Sequence, residues 1–153
     1  MRYWLMKSEP DEFSIDDLVK AKGQTTSWFG VRNYQARNFM REMKVGELAL
    51  FYHSSCPEPG IAGIVAISKL AHPDVSQFDP HSDYYDPKSP KDAPRWWNVD
   101  VRLVRKTRLV PLAEMRTTPA LEGMITLRKG NRLSITPVMP AEWKAVEKLV
   151  ARG

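Results

Sequence analysis

Large aromatic side chains stand beside polar groups where the chain leaves its predicted regular elements. Trp28 lies in a loop between Ser27 and Gly30, Trp96 opens a predicted strand, and Tyr52 and Ser54 end another. Aromatic faces stack on planar bases, while hydroxyl and carboxylate groups read a base edge by hydrogen bonding. A tryptophan taken alone more often belongs to the core or its rim. The repeated pairing of aromatic and polar groups is what predicts a base-binding pocket.

The first predicted strand ends in another polar group, Lys7-Ser8-Glu9. Strand ends and loops of a small barrel meet at one mouth, so we expect these side chains to lie near Trp28. Arg32 is predicted either to bind a phosphate group or to form an ion pair with an acidic neighbour such as Glu9.

Catalytic chemistry has weaker support in the sequence. His53, Ser54 and Ser55 contain a nucleophile and a base, but adjacent strand residues point to opposite faces, so His53 and Ser54 cannot face each other. His53, Glu9 and Asp100 are acid–base groups without a recognisable spacing. The sequence has neither a glycine-rich phosphate motif nor paired metal-ligand spacing. We therefore expect no enzyme activity, no cofactor and no metal site.

Charge is divided unevenly along the 153 residues, whose net charge is +5. Residues 1–100 hold 12 Lys/Arg against 14 Asp/Glu, whereas residues 101–153 hold 11 against 4. A basic end on a near-neutral body is typical of a surface that faces a polyanion. Lysine and arginine stems that cover apolar surface would give the same pattern.

The length predicts one domain, 1–153, with a hydrophobic core. No apolar run approaches the roughly 20 residues that cross a bilayer, so no membrane partner is expected. The single cysteine, Cys56, excludes an internal disulfide and favours a reducing compartment, for which we take the cytoplasm.

The hydrophobic pattern predicts strands at 2–7, 47–53, 61–70 and 96–110, and short ones at 125–127 and 133–135. Helices are predicted to begin at Ser14, near Asn33, at Pro111 and at Pro140. Residues 24–30 and 72–94 are predicted to be loops, the second long and proline-rich. Because strands and helices do not alternate, we expect a mixed or antiparallel sheet that curls into a barrel.

Five motifs follow one another between residue 3 and about residue 143. They are Trp4–Pro10; Trp28 with Gly30–Phe39; Phe51–Ser54 with Pro59–Gly63; Trp96–Val101; and Asn131–Ile135. In these motifs the sequence resembles the EVE domain family. The resemblance implies an α+β, PUA-like fold, a curled mixed or antiparallel β-barrel of five to six strands with peripheral helices.

The same resemblance implies a nucleic-acid-binding module that reads modified bases, such as methylated or hydroxymethylated cytosine, in DNA or RNA. It assigns the pocket to Lys7, Ser8, Glu9, Trp28, Arg32, Asn33, Tyr52, Ser54 and Trp96, with Arg132 and Ser134 lining the same mouth. The assignment of Trp96 depends on register, because Trp97 follows it and would face the opposite side.

Three hypotheses remain open at this point. The reader of modified bases is the leading one, with the basic last third of the chain holding the flanking phosphates. The alternatives are an RNA-processing or base-metabolising enzyme, and a sensor of a small planar ligand. The oligomeric state is left open.

Overall fold

Six strands form one mixed sheet in the computed structural model, which describes residues 1–152. The strands are β1 (Tyr3–Ser8), β2 (Thr25–Ser27), β3 (Leu48–His53), β4 (Gly60–Pro73), β5 (Trp97–Pro111) and β6 (Ile135–Val138). Their spatial order is β2-β5-β4-β3-β1-β6, with β1 parallel to β3 and the other neighbours antiparallel. The prediction of a curled mixed sheet with five to six strands and peripheral helices is confirmed. Within residues 1–152 the edge strands β2 and β6 do not pair with each other.

Four helices pack around this sheet. They are α1 (Ile15–Lys20), α2 (Tyr34–Glu42), α3 (Leu112–Arg116) and α4 (Pro140–Ala151). Ser14 caps α1 through a reciprocal box, in which its hydroxyl accepts from the backbone of Asp17 and its own N–H donates to the Asp17 carboxylate. In the part of the chain that is described, no helix is long and apolar enough to cross a membrane.

The core lies on both faces of the sheet. Neighbouring residues of β3 alternate, so that Phe51 joins one hydrophobic cluster and Leu50 and Tyr52 join the other. Trp4 and Leu5 of β1 divide between the same two clusters. This alternation decides which side chains at the strand ends can face a common cavity.

Two short segments differ in type from the predictions, and the strand predicted at 133–135 lies further along the chain, at Ile135–Val138. Residues 24–30 were expected to be a loop, but Thr25–Ser27 form the edge strand β2, in which β-branched Thr25 lies opposite Arg102. Ile125–Leu127 were expected to be a strand, but they form a 3₁₀ turn closed by the bond from Leu127 N to Met124 O. Apolar runs of three residues are too short for periodicity to distinguish a strand from a turn.

The proline-rich segment after β4 is an ordered loop organised by a buried glutamine. The side-chain amide of Gln77 donates to the carbonyls of Asp74 and Trp96 at 2.7 and 2.8 Å, and its oxygen accepts from Ser89 Oγ at 2.6 Å. Because these buried polar groups are satisfied by one another, the loop keeps a defined shape without regular secondary structure.

Candidate functional site

A cavity of about 830 Å³ lies where several strand ends meet. β1 and β3 run parallel and therefore end together, and the bond from Ser54 N to Ser8 O joins the two ends. On the other side, Lys7 N donates to Ser134 O, which brings the start of β6 to the same place. The cavity is lined by Lys7–Glu9, Glu12, Phe13, Thr26–Arg32, Ser54, Ser55, Tyr84, Asn131, Arg132 and Ser134.

The curl of the sheet creates this cavity. β2 and β6 are opposite edges of the sheet, yet Ser27 at the end of β2 and Ser134 just before β6 line the same space. The cavity therefore occupies the gap that the open barrel leaves between its two edges.

Trp28 forms an apolar side of the cavity and is only 7% exposed. Its ring packs edge-on against Phe51, with centroids 5.3 Å apart, and its backbone N–H donates to Val99 O. The indole N–H groups of three other tryptophans donate to protein oxygens, whereas in the described residues no such bond is found for Trp28. Trp28 thus combines a rigid aromatic face with an unused donor.

Beside Trp28, Arg32 is held by a buried carboxylate. Arg32 Nη1 donates to Asp74 at 3.1 Å, Nη2 donates to Ser76, and both Nε and Nη2 donate to Tyr84 O. With the further bond to Val31 O, the five N–H groups of the guanidinium are engaged within the protein. Of the two alternatives for Arg32, the structure shows the ion pair with an acidic residue, but the partner is Asp74 and not Glu9. Arg32 therefore holds the wall in place and has no donor left for phosphate.

Asp74 is fully buried, and its carboxylate also accepts from the backbone N–H of Gly30 at 2.8 Å. Burial alone would raise its pKa, but hydrogen bonds from Ser76, Gly30 and Arg32 outweigh burial and hold the pKa of Asp74 below its usual range. Asp74 therefore remains an anion that ties the loop after β4 to the segment that follows β2.

Tyr84 completes this side of the cavity. Its ring lies so close to Gly30 that a Cβ there would come within 2.8 Å, and Gly30 has a φ of +84° that disfavours other residues. Its hydroxyl donates to the Glu12 carboxylate at 2.8 Å, and burial together with this carboxylate raises the pKa of Tyr84 to about 12. We call residues 27–32 with Tyr84 the braced wall.

The opposite side of the cavity is built differently. Asn131 holds the turn there, because its side chain donates to Ile125 O and accepts from Leu133 N, both at 2.8 Å. Arg128, Lys129 and Arg132 are exposed, and no carboxylate within residues 1–152 pairs with them. We call residues 128–134 the basic wall. Asn131, Arg132 and Ser134 line the cavity, whereas Arg128 and Lys129 line a smaller cleft of about 360 Å³ that shares Asn131 with it.

Polar groups at the end of β1 form the floor between the walls. Lys7 is half-buried, and burial lowers the pKa of its ammonium group. Ser8 Oγ donates to Phe13 O at 2.6 Å, which leaves its lone pairs free to accept. Glu9 is exposed and contributes a carboxylate at the rim.

The structure brings eight of the eleven predicted pocket residues to the cavity. They are Lys7, Ser8, Glu9, Trp28, Arg32, Ser54, Arg132 and Ser134. This agreement follows from the shared edge of β1 and β3, which the topology enforces.

Asn33, Tyr52 and Trp96 do not line the cavity. Asn33 caps α2 by accepting from Ala36 N, and Tyr52 faces the second core cluster because Phe51 faces the first. Trp96 stacks on Tyr34 with centroids 4.9 Å apart and donates to Asp86. These three side chains stabilise the segments around the cavity and do not form part of its surface.

Sequence reasoning left Phe29, Tyr84 and Asn131 out of the predicted pocket. Phe29 had a signal, since it stands between Trp28 and Gly30 in the same loop. No sequence signal indicated Tyr84, because its position depends on the ion pair between Arg32 and Asp74, which are 42 positions apart.

The candidate acid–base groups are separated from one another. His53 Nε2 accepts from the first N–H of α1, at Ile15, and burial lowers the pKa of His53. Asp100 accepts from Ser27 and contacts His72. Neither His53 nor Asp100 lines the cavity, and in the described chain no three His, Cys, Asp or Glu side chains are grouped to hold a metal ion.

Comparison with known proteins gives consistent matches. Residues 2–149 match the EVE domain. Human thymocyte nuclear protein 1 is 47% identical over 165 aligned residues, which cover 96% of this chain and 73% of the human protein. The crystal structure of human THYN1 protein in complex with 5-methylcytosine-containing DNA has a TM-score of 0.93 and 47% identity, and covers 97% of both chains. An X-ray structure of a Pseudomonas putida protein has a TM-score of 0.92 and 47% identity, over 96% of this chain and 98% of that one.

The chain therefore belongs to the EVE domain family.

Proposed function

We propose that this EVE domain is a non-enzymatic reader that binds a modified cytosine of DNA in the cavity between the braced wall and the basic wall. The observation that carries the proposal is the likeness, over 97% of the chain, to a protein crystallised with 5-methylcytosine-containing DNA. The cavity supports it independently, because it joins a rigid aromatic face to unpaired polar groups.

The braced wall accounts for a preference for the methylated base. A methyl group that moves from water to the face of Trp28 contributes about 0.8 kcal/mol by transfer, and a close-fitting site about 1–3 kcal/mol. Trp28 is already packed against Phe51, so little side-chain freedom is lost when the base enters.

Polar groups at the floor are suited to the edge of cytosine. Cytosine presents an amino donor and ring acceptors, and thymine presents a carbonyl in place of the amino group. In the proposed complex the Glu9 carboxylate accepts from the amino group, while Lys7 donates to a ring acceptor. Such a pairing rejects thymine, because a carbonyl facing Glu9 would leave both groups unsatisfied.

The basic wall supplies attraction to the backbone. Arg128, Lys129 and Arg132 have no carboxylate partners in the described chain and can neutralise phosphates next to the bound nucleotide. A sensor of a free planar ligand would not need them, so the dependence of affinity on salt separates the two hypotheses.

The test is a binding series with matched DNA duplexes that contain cytosine, 5-methylcytosine or 5-hydroxymethylcytosine, and with the corresponding RNA. We expect tighter binding to the modified DNA, and Glu9→Ala should reduce affinity for every form that keeps the amino group. Glu58→Ala, an exposed carboxylate away from the cavity, is the control. Equal binding to all forms, or conversion of the base during incubation, contradicts a non-enzymatic reader.

We also propose that the chain is one domain and works in the cytoplasm. Both clusters of the core rest on the same sheet, which supports one folding unit, and the lone Cys56 is compatible with a reducing compartment. A single cooperative unfolding transition is expected for one domain. Fractionation of cells tests the cytoplasmic location.

A further inference from the structure

Phe29 is the one residue of the braced wall whose large side chain points largely to solvent in the described structure. It is 53% exposed, although its neighbour Trp28 is only 7% exposed. Phe29 nevertheless lines the cavity, so an apolar ring stands at the mouth of a site that must admit a polar nucleic acid.

The exposed ring has a stiff support. Phe29 packs edge-on against Tyr84, with centroids 5.8 Å apart, and Tyr84 is fixed by Glu12 on one side and by the close contact with Gly30 on the other. The Gly30 backbone is in turn bonded to buried Asp74. A mobile surface phenylalanine would have no such series of contacts beneath it.

We propose that Phe29 is a wedge that enters the base stack of a DNA duplex and occupies the place of the modified base extruded into the cavity. This inference rests on the proposed function and names its substrate class, a base-paired duplex rather than a single strand. A base inside a duplex cannot reach an enclosed pocket without leaving the stack. An aromatic ring beside the pocket replaces the lost stacking of the neighbouring bases, as apolar wedges do in other DNA-binding proteins.

Phe29→Ala tests the wedge, because an exposed ring can be removed without disturbing the core. We expect affinity for a fully paired duplex with one 5-methylcytosine to fall by about 10-fold or more. Affinity for the same sequence as a single strand should change by less than about 2-fold, since no base pair has to open there. Placing the 5-methylcytosine opposite a mismatched base should recover a large part of the loss, because the pair is already weakened.

Two variants serve as controls. Phe29→Tyr keeps the ring and should keep the duplex affinity. Val45→Ala removes an exposed apolar side chain in the turn before β3, at the opposite end of that strand from Ser54, and should change nothing.

The outcomes separate the two proposals. If the unaltered protein binds 5-methylcytosine and cytosine equally in duplex and single strand, the proposed function fails and the wedge fails with it. If it prefers 5-methylcytosine but Phe29→Ala weakens duplex and single-strand binding equally, or weakens neither, the reader stands and the wedge is overturned.

Discussion

The braced wall and the basic wall face each other across one cavity but differ in what stabilises them and in their charge. The braced wall has a buried anion, Asp74, whose hydrogen bonds to Arg32 and Gly30 fix its shape. The basic wall has three exposed cations without carboxylate partners in residues 1–152, and Asn131 holds its turn. Shape and charge therefore depend on separate segments, so variants can remove one and leave the other.

Loss of the Asp74 carboxylate is expected to have the largest effect. Asp74→Ala leaves Arg32 partly buried without its counterion and frees the Gly30 N–H, so the free energy of unfolding should fall by about 3–5 kcal/mol. Asp79→Ala, an exposed carboxylate of the same loop, is the control for chemical denaturation. A loss for Asp74→Ala as small as that of the control would mean that the wall is not braced by this anion.

Gly30→Ala tests the contact between the glycine and Tyr84. The positive φ and the collision with the Tyr84 ring together should cost about 2 kcal/mol of stability. Gly46→Ala separates the two causes, because Gly46 has a φ of +94° but no atom within 4 Å of the added Cβ. Equal losses in the two variants would show that the Tyr84 contact contributes nothing.

In the basic wall, Arg128→Ala combined with Arg132→Ala should leave stability unchanged and reduce DNA affinity by about 10-fold, or about 1.4 kcal/mol. The loss should be the same for modified and unmodified DNA, and the slope of log affinity against log salt should fall by about 2. Lys144→Ala with Lys148→Ala, two exposed cations of α4, is the matched control. A loss confined to modified DNA would place base recognition in the basic wall.

The smallest expected effect concerns pH. The pKa of His53 is lowered by burial, so the unfolded chain binds a proton at higher pH than the folded chain does. The free energy of unfolding should therefore decrease as pH falls from about 7 through the unfolded pKa of about 6.5, and level off below the folded pKa. His53→Gln keeps an acceptor for Ile15 N and should flatten this slope, whereas His81→Gln, at an exposed loop position, should not.

Local signals predicted much of the fold. Ser14 with Asp17, and Asn33 with Ala36, are caps that act within three residues, and the alternation along β5 marks a strand without reference to its neighbours. β2 escaped prediction because a three-residue edge strand is determined by its partner β5.

The candidate site was predictable to the extent that strand ends determine it. Lys7, Ser8 and Ser54 lie at the ends of two strands that the motifs place correctly. Tyr84 and Asp74 could not be assigned, because the fold brings them to Arg32 across 52 and 42 residues. The family resemblance assigns Trp96 to the pocket, yet its ring stacks on Tyr34 and supports α2 instead.

The position of the modified base is tested by photocrosslinking with a DNA duplex that carries 5-iodocytosine in place of 5-methylcytosine, followed by mass spectrometry of the protein. The iodine occupies the position of the methyl group, so we expect a crosslink to the braced wall, with Trp28 as the main site. A crosslink confined to residues outside the cavity, such as Trp97, would contradict the claim that the modified base binds between the two walls.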